Sequence, residues 1–170
     1  DNAEYIDLVS FLNSTTSLAA AENYNYVAGK IDIDNFIKYQ LIQIYANNTD
    51  WPGNNIKFWK TSQPTSKWRW ILYDTDFGFG EYDEWSYSSN TIEFALDAYG
   101  SSWPNPPWST LLFRRLVTNS GFRINFINQM ADNINTIYLP EFVNHYVDSL
   151  RDMVNDEMVY HRPRWGQSYD

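Results

Sequence analysis

Residues 47–60 read NNTDWPGNNIKFWK. Amides, a hydroxyl, Pro and Gly surround one carboxylate, Asp50, and the run then turns into alternating aromatic and basic residues. Asp, Asn, Pro and Gly are what chain reversals select, through local hydrogen bonds and special dihedrals. The periodicity on either side decides what this loop connects.

Upstream, DIDNFIKYQLIQIYANN (32–48) sets Ile37, Leu41, Ile44 and Tyr45 on one stripe, with Asp32 or Asp34 as cap, which predicts a helix running into the loop. Downstream, NIKFWK (55–60) and WRWILYD (68–74) are rich in aromatic and branched residues, and TSQPTSK (61–67) has the composition of a turn. A β-hairpin spanning about Asn54 to Asp74 is expected. DNAEYIDLVSFLN (1–13) carries Tyr5, Leu8, Val9 and Leu12 at helical spacing behind Asn2 as cap, and TSLAAAENYNYV (16–27) predicts a shorter helix ended by Gly29. Residues 78–107 lack a sustained period and read as a long loop with one helical turn near Ile92 to Leu96. Helices are expected in 108–119, 120–138 and 139–161, with Ser109, Ser120 and Pro140 near their starts. No internal repeat or linker interrupts the pattern. The fold class is α+β, mainly helical, with residues 1–170 forming a single domain.

A chain of 170 residues with 44% hydrophobic composition can bury a core of that size. It opens on Asp1, with no signal-peptide pattern before DNAEYIDLVSF, and reads as a processed or engineered fragment of a longer protein. No apolar run approaches the roughly 18–20 residues of a membrane span. Twenty-one acidic against 12 basic residues give a net charge of -9, which repels nucleic acid. The absence of cysteine excludes disulfides, thiol catalysis and thiolate zinc sites.

The acidic loops carry the chemistry. Asp50 and Asn55 stand as D-x-x-x-x-N, and the second predicted strand ends in YDTDFGFG (73–80), with Asp74 and the tripeptide Asp76-Phe77-Gly78. Phosphoryl transfer needs metal-held phosphates and a carboxylate to accept the incoming hydroxyl proton. In protein kinases a catalytic Asp precedes a metal-binding Asn by five residues, and a hairpin then leads to the metal-binding Asp of D-F-G. The order here is the same. Asp76 and Asn55 offer the hard oxygen donors that Mg²⁺ takes, which leaves Asp50 as base.

These residues resemble the CotH kinases, the family of spore coat protein H, atypical relatives of the protein kinase fold. The resemblance rests on IDIDNFIKYQLIQIYANNTDWPGNN (31–55) and WRWILYDTDFGFG (68–80), and extends more loosely through STLLFRRLVTNSGFR (109–123). It implies a kinase-like C-terminal lobe whose one β-hairpin carries the site, and ATP- and Mg²⁺-dependent phosphorylation of protein Ser- or Thr-type hydroxyls. It also implies a secreted or cell-envelope setting. By motif, Asp50 is similar to the catalytic aspartate, Asn55 to the metal-binding asparagine and Asp76 to the metal-binding aspartate, with Asp74 beside it. No His-Arg precedes Asp50, no A-P-E follows Gly78, and neither G-x-G-x-x-G nor V-A-I-K occurs. The chain is therefore expected to be the catalytic-lobe part of a longer protein.

Plainer readings stand beside these. Asp50 can organise a turn. Asp74 and Asp76, alternating along a strand, would face one side, where two like charges are costly without a cation or donors. An EF-hand from Asp74 is rejected because Phe79 and Trp85 fall where Gly and Glu are needed. His145 and His161 lack a second ligand at i+4. Lys57 and Lys60, just after Asn55, are placed to meet ATP phosphates and are equally ordinary as solvated strand residues. Of Arg114 and Arg115, one is expected to pair with an acidic neighbour and the other to be solvated. Tryptophans at 51, 59, 68, 70, 85, 103 and 108 raise a second function, an extracellular carbohydrate-binding module, against burial in the core. A third reading is a kinase-like scaffold without catalysis.

Overall fold

The computed structural model describes residues 2–81, 84–100 and 103–166. Over these, the elements run α1 (Ala3–Ser14), α2 (Ala21–Lys30), α3 (Ile33–Tyr45), β1 (Lys57–Trp59), β2 (Arg69–Ile71), α4 (Thr91–Leu96), α5 (Leu111–Leu116), α6 (Ser120–Ile134) and α7 (Pro140–Trp165), with a 3-10 turn at Ser86–Ser88. The class is α+β and mainly helical, as expected. The chain divides into two compact units, Asp1–Phe126 and Ile127–Asp170.

Helix α3 organises the first unit. Asp32 caps it, accepting from Asn35 N at 3.1 Å, while Asp34 lies inside the first turn and pairs with Lys38 at 2.7 Å. Phe36, Ile37, Leu41 and Ile44 are all buried. The hairpin lies alongside. β1 and β2 pair antiparallel with Phe58 opposite Trp70, so these two rings share the inner face while Lys57 and Ile71 share the outer one. The strands are three residues each, shorter than the span expected, because the backbone takes left-handed φ values at Asn55 (48°) and Asp74 (53°) and cannot stay extended there.

An unpaired strand edge exposes a row of donors and acceptors. Here β2 is covered. Asp32 N donates to Trp68 O and Trp68 N to Lys30 O, both at 2.9 Å, forming a parallel bridge between Ile31 and Trp68. The Asn35 amide continues it, accepting from Trp70 N at 2.6 Å and donating to Trp70 O at 3.3 Å. The same pairing corrects the expected end of α2. Gly29 lies inside the helix, which stops at Lys30 because Ile31 turns extended to meet the hairpin.

Aromatic contacts carry the core from α1 to α6. Tyr5 stacks on Phe58 at 4.2 Å, Phe36 meets Trp70 edge-on at 4.7 Å, and Phe113 links Phe36 at 6.2 Å to Phe126 at 5.1 Å. Three caps differ from expectation. Asn2 makes no side-chain cap bond. Ser109 precedes Thr110, the residue before α5, and donates to Pro106 O. Ser120 is the first residue of α6, and it is Asn119 that accepts from Phe122 N at 3.0 Å. In the second unit, α7 starts on Pro140 and ends at a left-handed Gly166, and Arg151 bridges Asp148 and Asp152.

Asn35→Ala removes both amide bonds to β2 and leaves Trp70 N and O without those partners. The expected loss is about 1–3 kcal/mol, read as a lower urea midpoint at unchanged m-value. An unchanged midpoint means that the edge contributes nothing.

Candidate active site

The loop that opened the sequence begins where α3 ends. Asn47, at φ 49°, donates to Ile44 O, and Asn48 N donates to Gln43 O, both at 3.1 Å, the paired closure of a Schellman motif with Asn at its left-handed position. The Asn47 side chain then ties in the distant loop, donating to Ser86 O and accepting from Thr91 Oγ1 at 2.8 Å.

Asn48 has no exposed surface and uses both ends of its amide. Its Nδ2 donates to Gln43 Oε1 at 2.9 Å, and its Oδ1 accepts from Asp50 N at 3.0 Å. Asp50 is thereby fixed at 6% exposure. Its two oxygens accept from Asn54 Nδ2 at 2.8 Å and Asn55 Nδ2 at 2.7 Å. Each oxygen keeps further lone-pair capacity. The orientation that gives Asn55 Nδ2 to Asp50 turns its Oδ1 away from that carboxylate.

Trp51, 1% exposed, anchors the loop in the core beside Gln43 and Tyr39, and burial pushes the Tyr39 hydroxyl up to about 12. Gly53 is required at the next turn. Its N donates to Pro104 O, and a Cβ there would lie 2.3 Å from Pro106 Cδ.

The D-F-G segment is joined to this loop through its backbone. Thr49 donates to Phe77 O from its N at 3.3 Å and from its Oγ1 at 3.4 Å, and Phe79 N donates to Ala46 O at 2.6 Å. Gly78 fits the gap, since a Cβ would meet Thr75 O at 3.0 Å and Ala46 O at 3.2 Å. Asn47, Asn55, Asp74 and Phe79 are the positive-φ residues other than glycine among those described, and all four lie in these two loops. Such strain persists where surrounding bonds over-determine it.

Asp74 and Asp76 are exposed, and the strand alternation expected of them does not apply because β2 ends at Ile71. They are neighbours nonetheless. Desolvation, the Asp76 charge, a carboxyl–carboxyl contact with Asp76 and the Asp50 charge hold the Asp74 pKa above its usual value, opposed by Lys57. Asp50, Asn55, Asp74 and Asp76 are thus linked by direct bonds or by charge. Among the described residues no group of three or more His, Cys, Asp or Glu side chains is placed to hold a metal ion.

The two lysines part company. Lys57 lies with its Nζ 4.0 Å from the Tyr73 ring centroid, on the acidic side. Lys60 is turned to Glu4 of α1, where the pair lowers the Glu4 pKa. Trp51, Trp68 and Trp70 are core residues, whereas Trp59, Trp85, Trp103 and Trp108 are exposed. Asn48, Gln43 and Asn54 escaped the sequence reading. Nothing in a run of amides marks which one is buried.

Because the Asp74 pKa is raised on folding, its ionised form opposes the fold. That stability is intact below the ordinary carboxylate pKa and is lost as pH rises through the folded value. Without divalent ions, Asp74→Asn is expected to melt above the unmodified chain at pH 7, with the difference closing as the pH falls below the ordinary aspartate value of 3.8. A variant that melts lower at pH 7 contradicts this.

A family model described as CotH kinase protein matches residues 1–169. No curated protein and no solved structure matches the chain. With the match extending over nearly every residue, the chain belongs to the CotH kinase family.

Proposed function

We propose that this chain is the catalytic-lobe part of an atypical protein kinase that transfers the γ-phosphoryl group of ATP to a Ser- or Thr-type hydroxyl. The observation that carries this reading is the double acceptance at Asp50. A buried carboxylate held at 2.7–2.8 Å by two amides is fixed in direction, and its remaining lone pairs can accept from a hydroxyl.

The residues fit a hard divalent ion. Asp74 and Asp76 crowd like charge together with Lys57 opposing it, and the Asn55 amide oxygen is not the atom engaged by Asp50. Mg²⁺ bound there would neutralise phosphate oxygens. Asp76, Asp74 and Asn55 are the residues that would hold it. Asp50 accepts the acceptor hydroxyl's proton, and the Gln43–Asn48 amides keep its backbone in place. Lys57 is the lysine available to a phosphate, since Lys60 is engaged by Glu4.

Two variants separate the roles. With the protein and a Ser/Thr-containing acceptor, Asp50→Asn should leave nucleotide binding nearly unchanged and slow transfer on the order of 10²-fold or more. Asp76→Asn should weaken Mg²⁺ and nucleotide binding together. Undiminished transfer in both variants rejects the assignment. Nucleotide binding without transfer in the unmodified chain favours a kinase-like scaffold instead.

A further inference from the structure

A cavity of about 380 Å³ opens within the first unit, on the inner side of the hairpin. Its walls include Leu8, Leu12, Phe36, Phe58 and Trp70. The size falls within the range of about 300–1,000 Å³ typical of small-molecule sites. An apolar enclosure alone does not name a ligand, but one charged residue also lines it.

Arg114 is half-buried at this cavity and has no carboxylate partner among the described residues. Its Nε donates to Thr110 Oγ1 at 2.9 Å and one Nη to Pro107 O at 2.8 Å, both neutral acceptors. The Asp97 carboxylate, the acidic group that acts on it, instead accepts from Tyr99 N at 2.7 Å. The next residue, Arg115, is likewise spent on carbonyls, those of Leu12 and Thr16. Desolvation and then the Arg115 charge push the Arg114 pKa down, as they do for a cation lacking its counter-ion. In a chain with 21 acidic residues against 12 basic ones, two adjacent arginines with no ion pair to a carboxylate among the described residues stand out. Among the described residues neither arginine forms the ion pair expected of one of them, and the Asp97 charge is the acidic influence on Arg114.

We propose that the cavity binds an amphipathic anion, a medium-chain fatty acid, with its hydrocarbon chain against the apolar walls and its carboxylate on the Arg114 guanidinium. Planar carboxylates match the guanidinium fork, and the apolar walls favour a chain over a polar ring. None of the acidic side chains of the candidate active site lines the cavity, although Trp51, Pro52 and Ile56 of the adjoining loop do.

Titration calorimetry with sodium decanoate, kept below its micellar concentration, tests this against 1-decanol and decylammonium. Decanoate should bind at one site, decanol at least about tenfold more weakly, the size of one charge-assisted contact, and decylammonium not at all. Val9 lines the cavity and is only partly buried, so Val9→Phe should fill space and abolish binding. Arg114→Gln should reduce decanoate to the level of decanol, and Arg114→Lys should restore part of the difference. Equal binding of decanoate and decanol overturns the anionic head, and decides the point even if Arg114→Gln does not fold. Full binding by a folded Val9→Phe overturns the cavity. No heat from decanoate overturns the whole inference.

Discussion

Asn48 is the residue on which the site depends. A fully buried amide must satisfy its donor and acceptor inside the protein or cost several times what an exposed one costs. Asn48 does so in two directions, taking Gln43 on α3 with one end and the Asp50 backbone with the other. The helix end, the Asx-type turn and the orientation of the Asp50 carboxylate thereby become one hydrogen-bonded unit. Trp51, immersed in the core one residue later, prevents the loop from lifting away. The Asp50 backbone is held from the interior of the protein, and its carboxylate by the loop's own Asn54 and Asn55 amides.

The second acidic loop is held by a different means. Phe77 O and Phe79 N bond to Thr49 and Ala46, which lie on either side of the Schellman closure, so the D-F-G backbone is stitched to the C-terminal end of α3. Its side chains are left with an electrostatic problem. Two neighbouring carboxylates share the field of Asp50, with Lys57 as the nearby cation that opposes them. The left-handed residues in these loops add backbone strain of about 1–3 kcal/mol each when the residue is not glycine. Strain and like charge concentrated where the core is most polar are expected of a functional site and are hard to explain as packing.

Periodicity and capping chemistry were enough to read α3, a capping aspartate at Asp32 or Asp34, the position of the hairpin and the helical turn near Ile92, because each depends on residues close together in sequence. What failed to show depends on contacts made at a distance. Gly29 reads as a helix stop but lies within α2, since the stop is imposed by pairing of Ile31 with Trp68. The hairpin reads longer than it is because left-handed Asn55 and Asp74 look like strand ends in composition. Asp50, Asn55, Asp74 and Asp76 were legible as a constellation through their order. The support beneath them was not, since a buried Asn48 and an exposed Asn54 are the same letter. Lys57 and Lys60 also look equivalent until Glu4 claims one of them.

Under the proposed function, the two acidic loops form one site for a divalent cation. Amide relaxation of the ¹⁵N-labelled chain with substoichiometric Mn²⁺, standing in for Mg²⁺, reads this directly, because a bound paramagnetic ion broadens the nearest amides most. Asn55, Thr75 and Asp76 are expected to broaden together at the lowest Mn²⁺ level, with added Mg²⁺ reversing the effect. Broadening restricted to one loop, or strongest at the Asp148–Asp152 face of α7, would contradict it.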